Sequence, residues 1–290
     1  MFHPEHRITP IEKMDLYTKT TLECSKVITE HYSTSFTLGI KTLDKRFHLP
    51  IYAIYGFVRF ADEIVDTFEG HDKKTLLNRF KSDTYVAIKE GISLNPVLHS
   101  FQLIVNKYKI DHELIESFLH SMEMDLYYAD YNQEGYEAYI YGSAEVVGLM
   151  CLRVFCEGNL AEYDRLKADA KRLGSAFQKV NFLRDIKSDF QERGRTYFPD
   201  VDFTNFTLED KKIIENDIQA DFDAALRGIL ELPKGAKGGV YLAYKYYLRL
   251  FDKIKNCPAS RIQNERIRVP DYQKMTLLAS TYFQMRLNVL

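Results

Sequence analysis

Apolar residues recur every three or four positions along almost the whole chain, and the Val/Ile alternation expected of strands is scarce. The spacing predicts helices over 15–31, 48–69, 74–91, 96–107, 111–130, 135–156, 160–192, 207–231, 236–255 and 271–288, broken at punctuation such as Asn95-Pro96, Gly158-Asn159, Gly194 and Pro233. Helices following one another without a strand pack as an antiparallel bundle around a central core or cavity, so the expected fold class is all-α.

Two of these helices carry charge where a buried helix should not. In FVRFADEIVD, residues 57–66, Asp62 and Asp66 are four apart and therefore about 40° apart on one face. Tyr55 falls about 20° and Arg59 about 60° from Asp62. Ile54, Phe57, Val58, Phe60, Ala61, Ile64 and Val65 fill most of the remaining circumference, with Glu63 the exception. In LGSAFQKVNFLRDIKSDF, residues 173–190, Gln178, Asn181, Asp185 and Asp189 form a second narrow polar stripe. Leu173, Ala176, Phe177, Val180 and Leu183 lie opposite it, with Lys179, Arg184 and Lys187 as polar interruptions. A solvated face would spread Lys and Glu over a wide arc, whereas these stripes are narrow, rich in Asp and hemmed in by aromatics.

Unpaired carboxylates in such surroundings take up protons or destabilise the fold, so they call for cations. Arg59 and Arg184 cannot balance four aspartates. Short oxygen-only side chains, with no His or Cys among them, suit a hard ion such as Mg²⁺, which keeps several waters and takes one or two carboxylates plus phosphate oxygens. Two such pairs facing each other across a bundle would clamp metal ions that stabilise a departing diphosphate.

Composition narrows the field. The 290 residues carry a formal net charge of −2, which gives neither a nucleic-acid footprint nor a polybasic membrane anchor. Cys24, Cys151, Cys156 and Cys257 have neither disulfide-framework nor zinc spacing, which fits buried thiols in a reducing, cytoplasmic setting. No low-complexity linker divides the chain, so residues 14–290 read as one domain and 1–13 as an extension outside the core, with Met14 a second start. The beginning, MFHPEHRITPIEK, lacks the apolar core of a signal peptide, and no stretch is expected to span a bilayer. The C-terminal run MTLLASTYFQMRLNVL carries Gln284 and Arg286, and reads as a packing element.

Six motifs, YSTSF (32–36), FVRFADEIVD (57–66), YIYGSAEVVG (139–148), LGSAFQKVNFLRDIKSDF (173–190), GRTYFP (194–199) and RIRVPDYQK (266–274), together resemble the squalene/phytoene synthase family, and within it the bacterial phytoene-forming members. The resemblance extends from about residue 20 onward. It implies the all-α isoprenoid synthase fold and a Mg²⁺-dependent head-to-head condensation of two prenyl diphosphates, with Mn²⁺ a substitute ion. With geranylgeranyl diphosphate the product would be phytoene, formed by way of prephytoene diphosphate.

Carried over motif by motif, Asp62, Asp66, Asp185, Asp189 and Asn181 would hold the metal, with Gln178 on the same stripe. Arg59, Arg184, Arg266 and Lys274 would grip diphosphate oxygens, as would Tyr247. Ser33, Ser35 and Phe36 would contact substrate, and Tyr139 and Tyr55 would stand near the reacting carbons. Carbocations must be kept from water, and aromatic faces stabilise positive charge by roughly 0.5–2 kcal/mol each, which makes Phe36, Phe57 and Tyr141 candidates for the lining.

Departures from the family pattern also show. Many relatives begin the first motif with histidine, whereas this chain has Tyr32 there and His31 one position earlier, which puts a diphosphate contact by His31 in doubt. Glu145 stands where relatives commonly carry glycine, and the plainer expectation is that it points outward to a lysine. The substrate and product would require no nucleic acid, and release of the product would bring the chain to the inner face of a membrane. Three other readings stay open. A thirty-carbon synthase acting on farnesyl diphosphate would use the same motifs, with a reductive NADPH step in squalene synthases. A terpene cyclase would share the fold, though the first stripe is DxxxD where DDxxD is usual. A catalytically silent assembly protein should have lost aspartates, and all four are present.

Overall fold

A computed structural model describes residues 15–127, 131–192, 194–199 and 201–287. The N-terminal extension anticipated at 1–13 lies outside the described residues. Among those described, the regular elements are all helical: α1 (Leu16–Tyr32), α2 (Thr34–Lys41), α3 (Lys45–Asp66), α4 (Lys73–Glu90), α5 (Pro96–Tyr108), α6 (His112–Tyr127), α7 (Gln133–Ile140), α8 (Val146–Phe155), α9 (Leu160–Ile186), α10 (Leu208–Glu231), α11 (Lys234–Lys255), α12 (Ala259–Asn264) and α13 (Asp271–Arg286). Residues Tyr141–Glu145 and Lys187–Glu192 are wound as π-helix, and Phe203–Asn205 as a single 3-10 turn.

Local chemistry sets most of the starts. Asp15, Ser33, Asp44, Asp72, Asn95, Asn132, Asn159 and Thr207 each accept a first-turn backbone N–H at their helix's N-cap. At α10 the cap is reciprocal, with the Asp210 side chain returning to Thr207 N. Ser33 and Asp44 account for two differences from the pattern-based expectation. Ser33 ends α1 and starts the eight-residue α2, which the apolar spacing had not indicated, and Asp44 starts α3 three residues earlier than the expected 48. The short α12 was also not anticipated.

The helices gather around two apolar clusters. The first joins α1–α6 and α8 with the beginnings of α9 and α11, and the second joins the rest of α9 and α11 with α7, α10, α12 and the segment 197–206. Phe57 belongs to the first: it is fully buried and stacks on Phe101 at 3.8 Å, with Phe80 and Phe118 within 5.5 Å. This overturns its expected place in a cation-shielding lining, because it points into the packing between α3, α4, α5 and α6. Lys179, one of the polar interruptions of its helix, is buried with Asp217 and Asp221 of α10 as partners.

The helix expected over 135–156 is continuous but rewound at its centre. Gly142 permits this: a Cβ there would sit 2.4 Å from Ser117 O of α6. Gly174 of α9 does the same from the other side, since its Cβ would lie 2.8 Å from Ala144 O and 2.9 Å from Glu145 Cα. The whole run Gln133–Phe155 is long and apolar enough to cross a membrane by length and composition, where no such stretch was expected; Tyr139, Ile140, Val146, Leu149 and Met150 are buried within the protein. The α13 helix packs on α11 but leaves Tyr272, Met275, Tyr282 and Phe283 exposed, so its packing role covers one side only.

Candidate active site

The first aspartate pair occupies the last two turns of α3, a helix of the first cluster, and the second lies at the end of α9 and in the π-segment 187–192, against the second cluster. The polar stripes therefore fall at the junction of the two. Arg59 donates to Asp62 Oδ2 at 2.5 Å and also pairs with Glu63, while its guanidinium lies 4.4 Å above the Tyr32 ring. Tyr55, one turn earlier, stacks on Phe36 at 4.8 Å. Burial first of all pushes the Tyr55 hydroxyl up, Arg59 and a hydrogen bond with Ser33 work against that, and Asp62 and Tyr247 add to it. Ser33 Oγ also caps α2 by accepting from Phe36 N, and Ser35 is half-buried on the same turn.

On the second stripe, Asp185 is held by Arg184 at 2.5 Å and by Arg266 Nε at 2.8 Å. Tyr247 of α11 donates to Asn181 Oδ1 at 3.2 Å and stacks on Phe177 at 4.0 Å, and Asn181 in turn reaches Gln178 at 3.4 Å. Asp189 is buried in the π-segment.

Arg195 ties the stripes together. Its backbone N donates to Asp189 O at 2.7 Å, and its Nη1 lies 3.2 Å from Asp66 Oδ1 on α3. The same guanidinium reaches Asp125 of α6, with Nη1 3.6 Å from Oδ1 and Nη2 donating to the backbone carbonyl at 2.9 Å. Tyr139 donates to the other carboxylate oxygen, Oδ2, at 2.9 Å, so its hydroxyl is committed to Asp125. Burial drives the Asp125 carboxyl up to about 7; Arg195 and the Tyr139 bond oppose the shift, and Asp66 and Asp62 add to it. Burial also raises the Tyr139 hydroxyl, and Asp125 reinforces it. Tyr197 stacks on Phe182 at 4.1 Å beside this group.

Asp125 and Arg195 were not among the residues singled out from sequence. Asp125 sits in MEMDLY, an acidic residue in an apolar helical run, which is the signal that marked Asp62. Arg195 stands within the GRTYFP motif, whose spacing alone assigned it no partner. Other candidates have these contacts. Lys274 pairs with Asp271 on its own helix at 3.0 Å, the Tyr141 ring lies under Lys171 at 5.0 Å, and His31 is exposed on α1. Glu145 does meet a lysine, Lys171 at 3.1 Å, but as a half-buried carboxyl raised by that burial.

The donors suit a hard cation. Among the described residues no three His, Cys, Asp or Glu side chains converge as a ready-made cage. Carboxylate and amide oxygens on two elements that Arg195 links are instead the open kind of set that Mg²⁺ takes together with waters and phosphate oxygens.

Known proteins share the chain's sequence pattern and its fold. A family model described as squalene/phytoene synthase matches residues 29–273. The phytoene synthase of Arthrospira platensis is 27% identical over 96% of both chains. The chloroplastic phytoene synthase of Cucumis melo is 28% identical over 80% of this chain, and the match spans 59% of the melon protein. Among solved structures, a dehydrosqualene synthase in complex with a ligand aligns with a TM-score of 0.78 at 20% identity, covering 93% of this chain and 98% of that one. The squalene synthase HpnC of Alicyclobacillus acidocaldarius aligns at 0.73 and 19% identity, covering 89% and 98%. The fold is that of these isoprenoid synthases.

Proposed function

Because the chain belongs to the squalene/phytoene synthase family, we propose that it condenses two geranylgeranyl diphosphates head to head into phytoene, releasing two diphosphates. The observation that carries this reading is the meeting of the two aspartate stripes through Arg195, with Arg59, Arg184 and Arg266 already paired to those aspartates. Asp62, Asp66, Asp185, Asp189 and Asn181 would hold Mg²⁺, with Mn²⁺ a substitute. Bound there, the metal supplies positive charge at the departing diphosphate and so lowers the cost of ionising the carbon–oxygen bond.

The chain's own residues do the rest. Arg59 and Arg184 carry planar forks that fit phosphate oxygens as well as carboxylates, and each could pass from its aspartate to substrate once the aspartate has another cation. The stacked pairs Phe36–Tyr55 and Phe177–Tyr247 present aromatic faces to positive charge on the prenyl chain and exclude water from it. In the first half, one carbon–oxygen bond breaks, the 2,3 double bond of the second substrate attacks the cation, and proton loss closes a cyclopropane. In the second half, the remaining diphosphate leaves, the skeleton rearranges, and a further proton is lost. The apolar product fits a cytoplasmic enzyme that touches the inner face of a membrane.

A thirty-carbon product from farnesyl diphosphate is the second reading, favoured by the fold likeness to a dehydrosqualene synthase. Pyrophosphate release by purified protein separates activity from silence. With Mg²⁺ and geranylgeranyl diphosphate, release is expected, lost with EDTA and reduced at least about a hundred-fold by Asp62→Ala or Asp185→Ala. No release from either substrate would overturn the enzymatic reading.

A further inference from the structure

The Asp125–Arg195 contact has an unusual shape. One guanidinium nitrogen, Arg195 Nη1, lies between two carboxylates, 3.2 Å from Asp66 Oδ1 and 3.6 Å from Asp125 Oδ1. The nearer belongs to the aspartate pair on α3. The farther belongs to a carboxylate that is only 4% exposed. Of the two Asp125 oxygens, Oδ2 is taken by the Tyr139 hydroxyl, whereas Oδ1 has no hydrogen-bond partner. A buried carboxylate oxygen left without a donor costs free energy, and its one cation stands a few tenths of an ångström beyond bonding range. The other arm of the fork, Nη2, is fixed on the Asp125 carbonyl at 2.9 Å, and Arg195 N is fixed on Asp189 O at 2.7 Å. The guanidinium can thus tilt from Asp66 towards Asp125 without leaving its anchors.

We infer that Asp125 is a positioning residue: its unpartnered Oδ1 receives Arg195 when Asp66 turns to a divalent cation. The inference rests on the metal-binding reading proposed above. Arg195 on Oδ1 competes with a cation for Asp66, and a guanidinium buried to this degree is released at least cost when a second carboxylate holds it. Asp125 supplies that carboxylate, Tyr139 aims it, and the exchange keeps Arg195 on a carboxylate in both states. Without the Asp125 charge, Arg195 would remain on Asp66 and compete with the metal.

The test is Mn²⁺ binding to the full chain, read by the EPR signal of free Mn²⁺ with inorganic pyrophosphate present. Asp125→Asn keeps an acceptor for Tyr139 but removes the charge, and should weaken Mn²⁺ binding by about ten-fold, the usual cost of disturbing a group that supports metal ligands. Asp125→Glu should restore much of the loss. In an Arg195→Gln background, Asp125→Asn should change the affinity by less than about two-fold, because the competitor is gone. A purely electrostatic effect of Asp125 would persist in that background, and that result would overturn the inference, as would unchanged binding by Asp125→Asn alone. Should Asp125→Asn fail to fold, Tyr139→Phe removes only the aiming bond and should weaken binding in the same direction; unchanged binding by that variant would overturn the inference equally. Absence of Mn²⁺ binding by the unsubstituted protein would instead sink the metal reading, and this inference with it.

Discussion

At the scale of single residues, what burial does to charge separates two kinds of site in this chain. Asp221 is 1% exposed and is held by Lys179 at 2.8 Å, Arg172 at 2.9 Å and Ser175 at 2.8 Å, all on α9, so its charge is matched from every side. Removing one partner of such a group leaves a buried charge only partly compensated. Lys179→Met is therefore expected to lower unfolding free energy by about 3 kcal/mol in chemical denaturation. Asp217→Asn, on the half-exposed partner, should cost less than about 1 kcal/mol. Equal losses would mean that Asp217 and not Asp221 anchors the lysine. Asp62, Asp66, Asp185 and Asp189 were legible because they break an apolar helical pattern at one repeated spacing. Lys179 breaks the pattern too, but its partners lie on α10, about forty residues away, and no local spacing points to them. Phe57 failed the other way: it adjoins the charged stripe in sequence, yet it packs on the opposite side of α3.

At the scale of elements, periodicity located most of the long helices, while it missed features set by contacts between them. The π-turn at Tyr141–Glu145 is one. A helix that packs this closely against α6 and α9 needs residues without a Cβ at the crossing points, and Gly142 and Gly174 supply them from opposite sides. Gly174→Ala places a Cβ 2.8 Å from Ala144 O, a backbone atom that cannot step aside cheaply. The variant should push α9 away from the π-turn, lower the thermal midpoint by several degrees and reduce turnover, since Gln178 and Asn181 lie one and two turns further along α9. An unchanged midpoint, measured by circular dichroism, would show that the crossing has slack. Missing α2 has a similar origin: eight residues are too few to establish a period, and its start depends on Ser33 serving as the end of one helix and the cap of the next.

At the scale of the whole molecule, the all-α class was readable because helical periods run throughout with almost nothing in competition. That the charged stripes lie at the junction of two apolar clusters was not readable, since periodicity says which face of a helix is apolar but not which neighbour it meets. The junction accounts for how carboxylates can be kept in an otherwise apolar bundle. Arg59, Arg184, Arg195 and Arg266 pair with them in the protein as described, and a divalent ion with a diphosphate would bring both the cation and the anion needed to redistribute those pairs. On the reading proposed above, this exchange accompanies the joining of two prenyl diphosphates. Product analysis tests it most directly: purified protein incubated with Mg²⁺ and geranylgeranyl diphosphate, followed by mass measurement of the hexane-soluble products. A forty-carbon hydrocarbon formed with two pyrophosphates per molecule is expected; release of pyrophosphate with only twenty-carbon alcohols or cyclised products would rule out head-to-head joining.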